Sequence, residues 1–356
     1  MVGLGGTAIA AGVGAAAWRI SAGSIADYDA YNARLRAELA SPDVADLIRL
    51  ATLAANSHNT QPWRFLLGND AIGILPDEAR RTPVVDPDDH HLCVSLGCAA
   101  ANLAIAAAAS GRPGEIEISG DGAGVRYHFT QAAPRSEPLL GAIVKRQSTR
   151  ADYDGRAVSA GDLAALEDAA AVPGVNLVLV TAQPQMARIR DLVIAGNSTQ
   201  MSDPAFMREL KQWLRFNPRS AMETGDGLFS AASGNPSLPT PLGRLAFDLL
   251  FTATSESDKY AGQIDSSAGI AVFVGDAADR THWMRVGLSC QRFALEATRL
   301  GLKLAFINQP VEVARLRPEL GALIGTPKRP DLVLRFGYGA TLPYAPRRPV
   351  KNVLGS

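Results

Sequence analysis

The stretch Ala51–Phe65, ATLAANSHNTQPWRF, decides how the rest of the chain is read. Its first residues continue a helical repeat, with Val44, Leu47, Ile48, Ala51 and Ala55 at three- and four-residue steps. Ser41-Pro42-Asp43 supplies a cap-type residue and a proline where that helix should begin. Asn56–Thr60 is a polar run whose side chains bond locally and favour turns over helix. Gln61-Pro62 closes it, since a proline pushes the preceding residue towards extended geometry. Trp63–Leu67 then leaves as a strand. The product is a tight helix-to-strand loop carrying three amides (Asn56, Asn59 and Gln61), a hydroxyl at Ser57 and an imidazole at His58. Amides both donate and accept, which suits the edge of a planar heterocycle with alternating C=O and N–H groups. Read alone, the same run is first a capped turn with no ligand.

At 356 residues the chain has room for two domains or one doubled domain. A hydrophobic share of 47% with 20% charged residues is ordinary for a soluble globular protein. Lys plus Arg and Asp plus Glu balance at 35 each, so no net field draws in nucleic acid. Cys93, Cys98 and Cys290 read as small buried thiols. The five-residue step between the first two faces them apart and argues against a shared metal. Met1–Trp18 is uncharged and rich in Ala and Gly, about the length of a short membrane span but only mildly apolar. It resembles the middle of an export signal that lacks its basic start. Residues 1–26 are therefore set apart as a signal remnant or anchor. Location stays open between the cytoplasm and an exported or membrane-anchored state that an upstream twin-arginine start would imply. Gly3-Leu4-Gly5-Gly6 imitates a dinucleotide fingerprint, but no strand precedes it and the reading is rejected.

Further along, Asp27–Leu39 is expected to be a helix and Ala71–Leu75 a second strand. Asp88-Asp89-His90-His91 reads as a helix cap with solvated charges, since adjacent histidines lack metal-ligand spacing on a helix. Leu92–Ser110 is apolar nearly all round and should be a buried helix, with Gly97 and Ala99–Ala101 permitting close helix approach. Glu115–Ser119 and Val125–Thr130 form a hairpin. In Gly141–Asp154, Arg146, Ser148 and Arg150 alternate, so an extended segment points all three to one side. Two guanidiniums and a hydroxyl suit a phosphate; alone, they are also an exposed basic turn. Asn217–Lys259, rich in Gly, Pro, Ser and Thr with an apolar interruption at Leu242–Leu250, reads as an insertion or lid. Gly269–Gly275 and Asp331–Gly337 are central strands, and Thr281–Leu300 is an amphipathic helix.

The run AANSHNTQPW, Ala54–Trp63, resembles the loop of the FMN-dependent nitroreductase family, written Pro-Ser-x-x-Asn-x-Gln-Pro-Trp. It agrees at Ser57, Asn59, Gln61, Pro62 and Trp63 and departs at Ala55 and Asn56. Arg146-x-Ser148-x-Arg150 with Tyr153 is similar to that family's phosphate grip, and Pro346-Arg347-Arg348-Pro349 to its basic C-terminal element. Asn308-Gln309 stand where the family often has Glu-Gly beside the reactive flavin nitrogen. The resemblance runs through nearly all the chain after about residue 40 and points to the tandem-duplicated, Acg-type branch. It implies an α+β, nitroreductase-like fold, with two degenerate halves, 27–135 and 136–356, forming a pseudo-dimer in one chain. Antiparallel-dominated sheets flanked by helices are expected in each half. It also implies FMN as cofactor, NAD(P)H as reductant, and a small-molecule electron acceptor, nitroaromatic or quinone-like. The implied cofactor-binding residues are Asn56, Ser57, Asn59, Gln61, Arg146, Ser148, Arg150, Asn308, Gln309, Arg347 and Arg348. No residue is assigned as catalytic acid, base, nucleophile or metal ligand. The first half keeps the loop and the second the grip, so one composite site is expected. The alternative is a catalytically degenerate protein of this fold that binds or sequesters flavin in a stress role.

Overall fold

A computed structural model describes Trp18, residues 21–38 and residues 42–355. The expectation for residues 1–26 therefore lies outside the described residues except at Trp18 and 21–26, where Ile25 and Ala26 already belong to a helix capped by Ser24; Ser41 lies outside them too. Helices are α1 Ile25–Leu35, α2 Val44–Thr52, α3 His90–Ala109, α4 Ala160–Ala170, α5 Gln183–Met201, α6 Pro204–Trp213, α7 Pro218–Thr224, α8 Thr240–Leu250, α9 Ala253–Asp265, α10 Arg280–Arg299 and α11 Arg317–Leu323. Strands are β1 Trp63–Leu67, β2 Ala71–Pro76, β3 Gly114–Ile118, β4 Val125–Phe129, β5 Val175–Val180, the two-residue β6 Leu214–Arg215 and β7 Leu228–Phe229, β8 Gly269–Gly275, β9 Lys303–Phe306 and β10 Leu332–Gly337.

Two four-stranded sheets result, ordered β1-β2-β4-β3 and β5-β8-β10-β9, and every pairing within them is antiparallel. The expected α+β architecture with antiparallel sheets flanked by helices is the one observed. In the first sheet β4 alternates, burying Val125, Tyr127 and Phe129 against α3. In the second, β8 is buried at every residue because each face has its own core. Ala271 and Phe273 join the main cluster with α10, while Ile270, Val272 and Val274 pack with Ile189 and Val193 of α5. Helix α3 packs on the first sheet, α10 on the second, and the two helices pack on each other.

The close helix approach read at Gly97 is real and reciprocal. A Cβ on Gly97 would lie 1.9 Å from the Met284 carbonyl oxygen, and one on Gly287 would lie 2.1 Å from that of Val94. Only glycine at both positions lets these backbones touch. Helix α3 is long and apolar enough to cross a membrane, but it is buried in this core.

The cap expected from Ser41-Pro42-Asp43 falls on Asp43, in a reciprocal capping box with Asp46. One local expectation is corrected. At α3 the cap is not the solvated Asp88–His91 cluster. The Asp86 carboxylate accepts from the backbone N–H of His91 and Leu92, each at 2.9 Å, while Asp89 takes a left-handed φ of 57°. His90 and His91 are buried, and each finds a carboxylate from the second half of the sequence: Asp331 at 3.1 Å and Glu312 at 3.4 Å. Burial with partners replaces solvation, a pairing that helix spacing cannot reveal.

Candidate functional site

The loop after α2 is a single 3-10 turn, Ser57–Asn59, with left-handed backbone at three non-glycine residues: His58 (φ 45°), Asn59 (φ 53°) and Gln61 (φ 53°). Such geometry costs about 1–3 kcal/mol per residue and persists only where surroundings enforce it. Here they do. Gln61 N–H donates to Asn56 Oδ1 at 2.9 Å. Asn59 Nδ2 donates to the carbonyls of Gly227 and Pro346, both at 3.0 Å, and its Oδ1 accepts from Arg347 Nη1 at 2.8 Å. Gln61 Nε2 donates to Gly225 O at 2.8 Å, and its Oε1 accepts from Arg348 N–H at 2.9 Å. The two amides therefore fasten the segment Gly225–Gly227 and the C-terminal run Pro346–Arg348 against the loop. Asp226 completes the fastening through ion pairs to Arg80 and, at 2.5 Å, to Arg215.

Behind this loop lies a cavity. One wall is Asn56, Ser57 and His58; a second is α3 through His91, Val94, Ser95 and Cys98; a third is Asn308, Gln309 and Glu312. The segment read as a lid contributes Leu228, Ser233 and Phe251, Tyr260 follows just beyond it, and Asn197, Gln200 and Phe206 of α5 and α6 supply a further side. A smaller cavity shares Ala55, Asn56, Arg150, Leu228 and Ser233 with it and is bounded further by Arg36, Asn59, Arg146, Ser148 and Arg347. Of the residues read from sequence, Asn56, Ser57, Arg150, Asn308 and Gln309 meet around the larger cavity. Asn56, Asn59, Arg146, Ser148, Arg150 and Arg347 meet around the smaller. Gln61 and Arg348 line neither: Gln61 is wholly buried, and Arg348 turns to Gln61 O and Asp77.

The smaller cavity is basic for a specific reason. Arg36, at the C-terminal end of α1, was not singled out in the sequence, where it is one charge on a polar-faced helix. In the fold its guanidinium stacks on Tyr344 at 3.8 Å and donates to Val144 O, with Nε left unpartnered. Arg146 donates one bond, from Nη2 to Leu53 O at 2.9 Å, and its buried Nε and Nη1 have no partner. Arg347 spends its donors on Asn59 and on the carbonyls of Thr52, Leu53 and Ala54, closing the C-terminal end of α2. Burial depresses all of them. Arg36 is held down to about 9 by burial and then by Arg146, Arg146 and Arg150 are lowered by burial, and Arg347 falls further as Arg36 and Arg146 crowd it. A group of buried guanidiniums with unspent donors is a demand for an anion with several acceptor oxygens.

The larger cavity holds two imidazoles whose pKa values are pushed in opposite directions. His58 is pulled down to about 4 by burial, with Glu312 only partly offsetting it, so it is neutral. Burial also disfavours charge on His91, but the hydrogen bond to Glu312 and the charges of Asp86 and Glu312 outweigh it and raise the pKa. Glu312 is held below the usual carboxylate range: burial pushes it up, but His91 and a 2.6 Å bond from Gln200 Nε2 prevail.

Together these features define an α+β protein with an adjoining pair of cavities behind its motif loop, one suited to an anionic group and one to a larger body of mixed polarity. Sequence comparison takes the identification further. The chain is 27% identical over 322 residues to the provisionally named NAD(P)H nitroreductase Rv3131 of Mycobacterium tuberculosis, covering 87% of this chain and 90% of that one. It is 22% identical over 332 residues to the provisionally named NAD(P)H nitroreductase Acg of the same organism, covering 87% and 94%. By sequence the chain is thus similar to provisionally named NAD(P)H nitroreductases, Acg among them. No protein-family model matches it. Among solved structures, an FMN-bound nitroreductase from Desulfitobacterium hafniense aligns at a TM-score of 0.40 and 16% identity, over 62% of this chain and 99% of that one. The nitroreductase NfnB of Mycobacterium smegmatis, in complex with NADPH, aligns at 0.38 and 11%, over 57% and 87%. At that level of likeness no detail of a site transfers.

Proposed function

We propose that the protein is an FMN-dependent NAD(P)H oxidoreductase of nitroreductase type that reduces nitroaromatic or quinone-like small molecules by two electrons. The observation that carries the reading is the smaller cavity, where Arg146 presents two buried, unpartnered nitrogens beside Arg36 and Arg150. A phosphate fits that demand, and the adjoining cavity leaves room for the group attached to it. Arg36, Arg146 and Arg150 would hold the phosphate, with the Ser148 hydroxyl as a further donor. Asn56, Ser57, Asn308 and Gln309 would face the ring system; Gln309 Oε1, buried without a partner, is an acceptor still free for a ligand. Asn59, Gln61, Arg347 and Arg348 would shape the wall rather than touch the cofactor, because their bonds are already spent within the protein. FMN, when bound, supplies the reversible two-electron chemistry, while the chain fixes its position and access.

The reading extends to the organisation of the chain. Residues 27–135 and 136–356 would act as the two halves of a pseudo-dimer holding one FMN, with the loop from the first and Arg146, Ser148 and Arg150 from the second. Support comes from the two antiparallel sheets, each backed by one long helix, and from the reciprocal glycines where those helices cross. Residues 217–259 would serve as a lid, since Leu228, Ser233 and Phe251 close one side of the cavity.

A visible spectrum of the purified protein with added FMN tests the reading, followed by titration of Arg146→Gln. Each charged hydrogen bond is worth about 1.5–3 kcal/mol, so affinity should fall about ten- to hundredfold. Unchanged affinity would reject the phosphate assignment. The second reading, flavin sequestration without turnover, draws on the fastened lid; bound FMN that NAD(P)H fails to bleach would favour it.

A further inference from the structure

Taking a quinone to its hydroquinone adds two electrons and two protons. A reductant that delivers hydride supplies both electrons and one proton, so one proton must come from elsewhere. Resting on the reductase reading above, we infer that His91 and Glu312 supply it: the proton shared between His91 Nε2 and the Glu312 carboxylate passes to the reduced acceptor in the larger cavity.

The geometry sets this pair apart. Both side chains line the cavity, although they come from distant parts of the sequence, and their atoms lie 3.4 Å apart. Gln200 Nε2 donates to the other carboxylate oxygen at 2.6 Å, which leaves Oε1 to the imidazole. The charged groups around His91 come from several sides: Asp86 and Glu312 favour its proton and Arg329 opposes it, while its ring neighbour His90 is pushed towards the neutral form by burial and by His91. His58 and Tyr260 face Glu312 across the cavity. Neither competes as a donor at neutral pH, because burial holds His58 neutral and pushes the Tyr260 hydroxyl up to about 12. On the lid side Lys259 lies near Glu256, the other acid of the cavity wall, whose pKa burial raises and Lys259 partly restores. After transfer His91 is neutral, and one proton from water restores it. The sum is NAD(P)H, one proton and quinone in, and NAD(P)+ and hydroquinone out.

The test separates proton delivery from everything else the pair does. Ferricyanide takes one electron and no proton, so the ratio of menadione to ferricyanide turnover isolates the proton step in FMN-loaded enzyme. General acid catalysis is worth about 10²–10⁴-fold, so His91→Gln should lower that ratio at least tenfold, and Glu312→Gln should lower it in the same direction. Independently, carbon-13 NMR of histidine-labelled protein, with or without FMN, should show His91 titrating above the ordinary histidine range. In Glu312→Gln it should fall back to or below that range. An unchanged ratio in folded His91→Gln, or a His91 titration indifferent to Glu312→Gln, overturns the inference alone. Wild-type protein that reduces neither acceptor overturns the reductase reading, and the inference with it.

Discussion

Gly97→Ala adds one methyl group where none fits. Its Cβ would stand 1.9 Å from the Met284 carbonyl oxygen and 2.8 Å from the carbonyl carbon. Both atoms are backbone of α10, so no side chain can turn aside. To reach even 3.0 Å, helices α3 and α10 must part locally by about 1 Å, in an interior packed as tightly as an organic crystal. A gap of 0.5–1 Å forfeits roughly a quarter to a half of the dispersion well of each contact it opens. Overpacking of this kind costs about 1–3 kcal/mol, and here the strain lies on rigid backbone, towards the upper end. Alanine's better helix propensity returns about 1 kcal/mol. A net loss of about 2 kcal/mol is therefore expected.

Urea unfolding followed by the fluorescence of Trp63 and Trp283, both buried, reads this loss. With a slope of about 2–3 kcal/mol per molar, the upper part of the usual range for a chain of this size, the midpoint should drop by about 0.7–1 M at unchanged slope. Gly287→Ala should do the same from the other side, since its Cβ would meet Val94 O at 2.1 Å. The double variant should cost less than the sum, because helices already parted have room for the second methyl. A midpoint for Gly97→Ala equal to or above wild type would refute the reasoning. The separation also moves Val94, Ser95 and Cys98, which wall the larger cavity.

Asn59→Ala should destabilise by about 1–3 kcal/mol, because it strands the Gly227 carbonyl, while Pro346 O and Arg347 Nη1 keep their 2.8 Å bond to each other. Limited proteolysis should then cut near Gly225–Gly234; resistance equal to wild type would deny the fastening role. The His91–Glu312 pair should leave a mark on the pH dependence of stability. A raised histidine stabilises fully below its unfolded value near 6.5, and that contribution is lost as pH rises through the higher folded pKa. A lowered glutamate stabilises fully above about 4.3, and that contribution is lost as pH falls through the lower folded pKa. The pair should thus contribute most between about pH 4.3 and 6.5, and Glu312→Gln should shrink the difference in urea midpoint between pH 5.5 and pH 9. An identical difference in both proteins would count against the pairing.

What was legible in the sequence was whatever is written in local pattern. Gly269–Gly275 is apolar at every position, and it became a strand with a core on each face. The uniformly apolar run from Leu92 announced a buried helix, and Gly97 within it announced a close neighbour, though not that the neighbour would answer with Gly287. The turn after α2 followed from its Asn, Ser and Pro content. What stayed hidden depends on residues brought together from far apart. Arg36 carries no motif, and only the packing of α1 against the Tyr344 region turns it into a wall of the basic cavity. His90 and His91 looked like solvated charge because Asp331 and Glu312 lie far along the chain. The Asn217–Lys259 run looked like loop because Gly, Pro and Ser punctuate it, yet α7 and α8 form between those breaks once Phe216 and Phe247 can bury together.

The motif loop shows why recognising a pattern and assigning its chemistry are separate steps. Asn59 and Gln61 carry the family resemblance, and their amides have the donors and acceptors a flavin ring would want. In this fold those groups are already committed to Gly225, Gly227, Pro346 and the Arg347–Arg348 segment. An amide nitrogen whose hydrogens are given to two buried carbonyls cannot offer them to a ligand without first releasing the lid and the C-terminal run. Ligand contact and lid closure therefore compete for the same atoms. The left-handed backbone at His58, Asn59 and Gln61 adds stored strain to that competition. Beyond His58 and Trp63 in the loop itself, unspent hydrogen-bonding capacity around the cavities lies on Arg146, Arg36 and Gln309. Affinity for an anionic cofactor should follow those three side chains, and the loop amides should govern how readily the cavity opens to it.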